Sequence, residues 1–103
     1  MDKKILTLLG FASKSRKLSY GAAASADSVN AGKSKLIIIS GDISEKSKKE
    51  MIFVSEKNNV PVIVLGNVTS NVISNAVGRN CGILSVNDKS FASGIAEEYG
   101  RKC

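Results

Sequence analysis

The residues of this chain with the most chemical potential are basic. Lys14-Ser15-Arg16-Lys17 sets three cations in four positions, and Gly78-Arg79-Asn80-Cys81-Gly82 frames another cation and an amide between glycines. Such side chains can hold phosphate oxygens without reading bases, and the glycines let a backbone approach a ligand closely. Gly32-Lys33-Ser34 has the ending of a phosphate-binding loop, but Asp27 stands where that pattern needs a small residue. The loop must also follow a strand and open a helix, so that backbone N–H groups face the phosphates. Here Gly32 is placed to end a helix and Lys33 leads into a strand, so nucleotide hydrolysis is not expected.

Other chemistries find little support. The chain has no His, which removes His-based triads, His-liganded metals and His general bases. Glu97 and Glu98 are neighbours on an expected helix and point in different directions, whereas paired-carboxylate catalysis needs convergence. Cys81 beside Arg79 is read as a small loop or core residue rather than a reactive thiol. The two cysteines, Cys81 and Cys103, form no CxxC pair, which argues against a zinc knuckle or a disulfide scaffold and for a reducing cytoplasm. Asn67-Val68-Thr69 is read as a loop and helix cap. No catalytic residue, metal or cofactor is expected.

With 103 residues the chain is expected to form a single domain over 1–103, and its 43% hydrophobic and 23% charged composition is that of a packed protein. The formal charge of +6 favours phosphate polymers and anionic surfaces as partners. Lys3 and Lys4 followed by an apolar run imitate a short signal peptide, but Ile5, Leu8, Leu9 and Ala12 recur at helical spacing. An amphipathic helix is the better reading, and no stretch is long enough to span a bilayer.

The elements that must position the basic groups follow from the apolar pattern. After the first helix, Leu18 to Gly21 is short and extended. Ala22 to Ala31 reads as a helix with Ala22, Ala26 and Val29 on one face and Gly32 as its terminating glycine. Lys35 to Ser40 is a β-branched apolar run, as in a strand covered on both faces. Ser44 caps a helix reaching Asn58, and Val60 to Leu65 is a second buried strand. Thr69 to Val77 is helical, with Val72, Ile73, Ala76 and Val77 on one side. Gly82 to Val86 is another core strand, and Asp88 opens a last helix with Phe91, Ile95, Ala96 and Tyr99 apolar. Leu36, Ile38, Val62, Val64 and Leu84 are the expected core of the sheet. This alternation predicts an α/β fold, a three-layer α-β-α sandwich around a small mixed, mainly parallel central sheet.

Lys46, Lys48 and Lys49 are read as a solvated helix face. Met51-Ile52-Phe53-Val54 follows, and four adjacent helical residues cannot all face one core. Weak self-association through Ile52 and Phe53 is therefore expected.

Leu9-Gly10-Phe11-Ala12, Lys14, Arg16-Lys17-Leu18 and Gly21 resemble the opening of bacterial YlxQ-like proteins of the ribosomal L-seven-Ae/L-thirty-e superfamily. The likeness continues through Gly32, Lys35-Leu36, Asp42, Ser44, Val60-Pro61-Val62, Ala76-Val77-Gly78, Val86-Asn87-Asp88 and Phe91-Ala92. The resemblance implies a cytoplasmic, non-catalytic binder of structured RNA, ribosomal RNA included, as a ribosomal or ribosome-associated ribonucleoprotein. Its expected RNA-binding residues are Lys14, Arg16, Lys17, Gly21, Ala22, Ala23, Lys33, Lys35, Arg79 and Asn80. Kink-turn binders of the superfamily open their second helix with Gly-x-Asn-Glu-x-x-Lys. Aligned on Gly21, this chain has Ala23 for Asn, Ala24 for Glu and Asp27 for Lys. Alanine supplies no hydrogen bond to a base edge and Asp repels phosphate, so kink-turn selectivity is not expected. The alternative is a protein-interaction adaptor on the same fold.

Overall fold

The computed structural model describes residues 3–102. In chain order the elements are α1 (Lys3–Lys14), β1 (Leu18–Tyr20), α2 (Ala22–Asn30), β2 (Leu36–Ser40), α3 (Glu45–Lys57), β3 (Val62–Leu65), α4 (Ser70–Val77), β4 (Ile83–Val86) and α5 (Lys89–Lys102). Three helices begin on side-chain caps that satisfy first-turn N–H groups. Ser44 Oγ accepts from Ser47 N at 3.2 Å, Thr69 Oγ1 from Val72 N at 3.3 Å, and Asp88 Oδ2 from Phe91 N at 2.9 Å.

The sheet has the order β1-β4-β2-β3. It is mixed, as expected, but its neighbours are mainly antiparallel. β2 pairs parallel with β3, while β4 runs antiparallel to both β1 and β2. The cause lies in the connection after β3. The ends of β2 and β3 meet the start of β4, where Gly41 and Gly66 abut and Ser40 N donates to Gly82 O at 2.8 Å. The chain through α4 thus returns to the edge it left, and β4 must run back. Three strands still share one direction, with β4 inserted between two of them, so Gly21, Gly41, Gly66 and Gly82 gather along one edge.

The sheet separates two cores. One face packs Leu36, Ile38, Ile63, Leu65, Leu84 and Val86 against apolar residues of α1, α4 and α5. The other packs Ile37, Ile39 and Ile83 against Val29 of α2 and Met51 of α3, completing the three layers. Leu36, Ile38 and Leu84 are buried as expected, but Val62 and Val64 are only half-buried. β3 is an edge strand, so its better-covered face carries Ile63 and Leu65 instead.

The helical faces also depart from the apolar pattern. α2 buries Ser25, Ser28 and Val29, while Ala22 is exposed. Small hydroxyl residues let α2 close on the sheet where Ser19, Ser85 and Asn87 offer polar partners. Ser28 Oγ lies 2.6 Å from Ser19 Oγ, which accepts from Asn87 Nδ2 at 2.9 Å. Ser85 Oγ lies 2.7 Å from Ser34 Oγ and 2.6 Å from Asn87 Oδ1. Val72 is 41% exposed, leaving Ile73 and Val77 as the buried face of α4. In α5, Ala92 is buried beside Ile95, and Ala96 faces solvent.

No helix among the described residues is long and apolar enough to cross a membrane. Cys81 is a buried free thiol, and Cys103 lies outside the described residues.

Candidate nucleic-acid interface

α2 starts at the glycine-lined edge. Gly21 adopts φ 91 and ψ 166, and no side chain caps the helix. Its N–H donates to Ile83 O at 2.8 Å and its carbonyl accepts from Ser25 N at 3.0 Å. That backbone conformation is essentially open only to glycine. It leaves an uncapped helix start, with exposed Ala22 and Ala23, next to the beginning of β4.

That loop is held from α4. Gly78 ends the helix in the left-handed conformation at φ 78, and its N–H donates to Ser74 O. Ser74 Oγ accepts from Cys81 N at 3.0 Å and donates to Ser70 O at 2.7 Å. The start of α4 is fixed by Asp42, which accepts from Ser40 Oγ at 2.7 Å, Ser70 N at 2.9 Å and Ser70 Oγ at 3.1 Å. The Ser40 hydroxyl, more than any other group, holds the Asp42 carboxyl below its ordinary pKa, with both Ser70 donors adding to it. A depressed carboxylate contributes its stability fully above the unfolded-state pKa and loses it as pH falls through the folded value. This polar chain, from β2 through Asp42, Ser70 and Ser74, anchors the loop at Cys81, just after Arg79 and Asn80, and the apolar periodicity does not mark it.

Arg79 stacks on Tyr20, its guanidinium carbon 4.9 Å from the ring centroid. At an exposed site this contact contributes about 0.5–1 kcal/mol. Tyr20 is itself anchored. Ser13 Oγ gives its one proton to Val77 O at 2.7 Å, so the Tyr20 hydroxyl, 2.6 Å away, donates to Ser13. Lys14, Arg16, Tyr20, Gly78 and Arg79 line one open depression of about 510 Å³. None of its three cations is ion-paired to a described carboxylate. Burial pushes the Cys81 thiol up, away from reactivity, despite Arg79 nearby in sequence.

Arg16 holds an unusual backbone seat. α1, α2 and α3 end in the same double hydrogen bond. Arg16 N donates to Ser13 O and Lys17 N to Ala12 O; Gly32 N to Val29 O and Lys33 N to Ser28 O; Asn59 N to Glu56 O and Val60 N to Ser55 O. This is the Schellman arrangement, whose key residue is left-handed. The seat is taken by Gly32 at φ 76, by Asn59 at φ 59 and by Arg16 at φ 59. Glycine and asparagine suit it, whereas a long side chain costs roughly 1–2 kcal/mol there. Strain of this kind persists where the side chain has work to do. Arg16→Gly is expected to raise stability by about 0.5 kcal/mol in thermal melts, the backbone entropy of glycine offsetting part of the relief. Arg16→Ala keeps the strain and should not gain stability.

The ten expected contact residues therefore divide. Gly21, Ala22, Ala23, Arg79 and Asn80 share the glycine edge, whereas Lys14 and Arg16, which precede the start of β1, meet Arg79 in the depression that runs along that strand. Lys17, Lys33 and Lys35 lie at the opposite end of the sheet, where Lys17 O accepts from Asn87 N and Lys35 N donates to Val86 O. Lys35 borders a separate depression of about 360 Å³ with Asn30, Asn58 and Asn59. Gly32 closes α2 and Lys33 precedes β2, so the partial phosphate-loop motif is a helix terminus. No cluster of His, Cys, Asp or Glu able to hold a metal occurs among the described residues. The roles of Ser13, Tyr20, Asp42 and Ser74 depend on long-range contacts that spacing along the chain does not mark.

Fold and edge together define a three-layer α-β-α sandwich with a basic, glycine-lined edge at its strand ends. The model of the ribosomal protein L7Ae/L30e/S12e/Gadd45 family matches residues 3–93, and the chain belongs to that family. Among solved structures, a Bacillus halodurans protein of unknown function is similar, with 29% identity, 91% of this chain and 94% of that chain covered, and a TM-score of 0.85. The Giardia lamblia 15.5kD RNA binding protein shares the fold at 21% identity, with 97% of this chain and 85% of that chain covered and a TM-score of 0.77. Comparison with curated proteins gives no match.

Proposed function

We propose that this protein is a non-catalytic binder of structured RNA, a YlxQ-like cytoplasmic ribonucleoprotein component whose ligands include ribosomal RNA. The observation that carries this reading is the convergence of Lys14, Arg16 and Arg79 on one depression, lined also by Tyr20, the residue before the Gly21 cap of α2. Family membership and the RNA-binding protein of like fold support it. Lys14, Arg16 and Arg79 contact phosphates, while the first turn of α2 and Asn80 approach the RNA along the edge. Lys17, Lys33 and Lys35 add long-range attraction from the far end.

Neutralising Lys14, Arg16 or Arg79 one at a time is expected to flatten the salt dependence of RNA binding by about one unit of slope or less. The loss should be similar for different structured RNAs, because phosphate contacts carry no sequence information. Lys33→Gln and Lys35→Gln should change the slope less. Filter binding across a salt series measures this, and unchanged slopes in all three edge variants contradict the assignment. Salt-insensitive binding to a single protein would instead support the adaptor reading.

A further inference from the structure

The outward side of α3 carries a surface that RNA contact at the glycine edge does not use. Met51 and Ser55 face inward, and Ile52 and Val54 pack partly against the second core. Phe53 is left 68% exposed. Lys49, Glu50, Glu56 and Lys57 around it are also exposed, and none is ion-paired to another described residue. The pair within α3 is Lys48–Glu45, at 3.3 Å. With about 100° between successive residues, Lys49 and Glu56 flank Phe53 on one side, and Glu50 and Lys57 on the other.

This pattern is complementary to itself. A two-fold axis crossing α3 at Phe53 reverses the helix direction and keeps each flank on its own side. Lys49 then meets Glu56 of the partner subunit, Glu50 meets the partner's Lys57, and the two phenyl rings stack. We propose that α3 pairs antiparallel with α3 of a second copy of this chain about such an axis. Antiparallel pairing also opposes the helix dipoles favourably, and an isologous contact of this kind closes at two copies. The patch is small, so the dimer is weak and forms at high protein concentration. Arg16 and Arg79 stand on the α1–α4 side of the sheet, and both RNA edges of the dimer stay open.

Sedimentation equilibrium without RNA tests this, independently of any RNA reading. The weight-average mass of the protein should climb from monomer toward dimer between micromolar and millimolar concentration, and Phe53→Ser should abolish the climb. Lys49→Glu sets like charges against each other twice and should weaken association about tenfold. The double variant Lys49→Glu/Glu56→Lys restores both pairs in the antiparallel arrangement and should recover the original association. In a parallel arrangement Lys49 would face the partner's Glu50, and the double variant would not recover. Circular dichroism confirms that each variant is folded. A monomer at every concentration overturns the proposal, as does a double variant no better than the single.

Discussion

Replacing Ala23 by Asn, Ala24 by Glu and Asp27 by Lys in one variant is expected to create a tenfold or larger preference for a kink-turn. The comparison is the same RNA with its G·A pairs replaced by Watson–Crick pairs. Ala23 and Asp27 are exposed one turn apart on α2, and Ala24 is half-buried beside them. Asn and Glu supply polar groups for base edges, and a good bidentate contact is worth about 1–3 kcal/mol by analogy with duplex DNA. Lys at 27 turns repulsion of phosphate into attraction. It also removes an acidic side chain from the last turn of α2, where the helix dipole disfavours one. About 1.4 kcal/mol corresponds to each decade, so two new contacts suffice. A strong kink-turn preference in the unaltered protein, measured by competition binding, would contradict this account of Ala23, Ala24 and Asp27. So would a folded variant that gains none.

Gly41→Ala is expected to be the most damaging single methyl addition at the edge. A Cβ there would lie 2.3 Å from Gly66 O and 2.8 Å from Gly66 C. Both are backbone atoms of the residue that follows β3, the strand paired with β2, so relief requires the β2 and β3 ends to part. Overpacking of this kind costs about 3 kcal/mol, or roughly 10–20 °C in Tm for a domain of this size. Gly66→Ala is the internal control, because nothing lies within 4 Å of its added Cβ. Thermal melts of the two variants separate a demand for close approach from glycine loss in general. Equal, small effects would show that the edge is looser than its geometry.

The sequence made the layers legible and the edge only partly so. Leu36 to Ser40 reads as a doubly covered strand because its apolar run is continuous, and it is buried throughout. Ser44, Thr69 and Asp88 announce helix starts through their own side chains, and Gly32 announces a helix end. Strand direction was not legible, since alternation of helix and strand does not state the edge to which α4 returns. The apolar pattern does not mark the inward face of α2, because serines there replace the apolar stripe. Nor could spacing show that Lys33 and Lys35 lie at the far end of the sheet from Arg79. The left-handed seat of Arg16 was hidden as well, since nothing in its residue type marks a helix end.

An NMR titration of uniformly ¹⁵N-labelled protein with a structured RNA maps the RNA-contacting surface residue by residue. Amide shift changes should concentrate at Arg16, Gly21 to Ala24 and Arg79 to Asn80, with smaller changes at Lys33, Lys35 and the outer side of α3. Changes centred on Lys33, Lys35 or Phe53 while the glycine edge stays silent would contradict RNA binding at that edge.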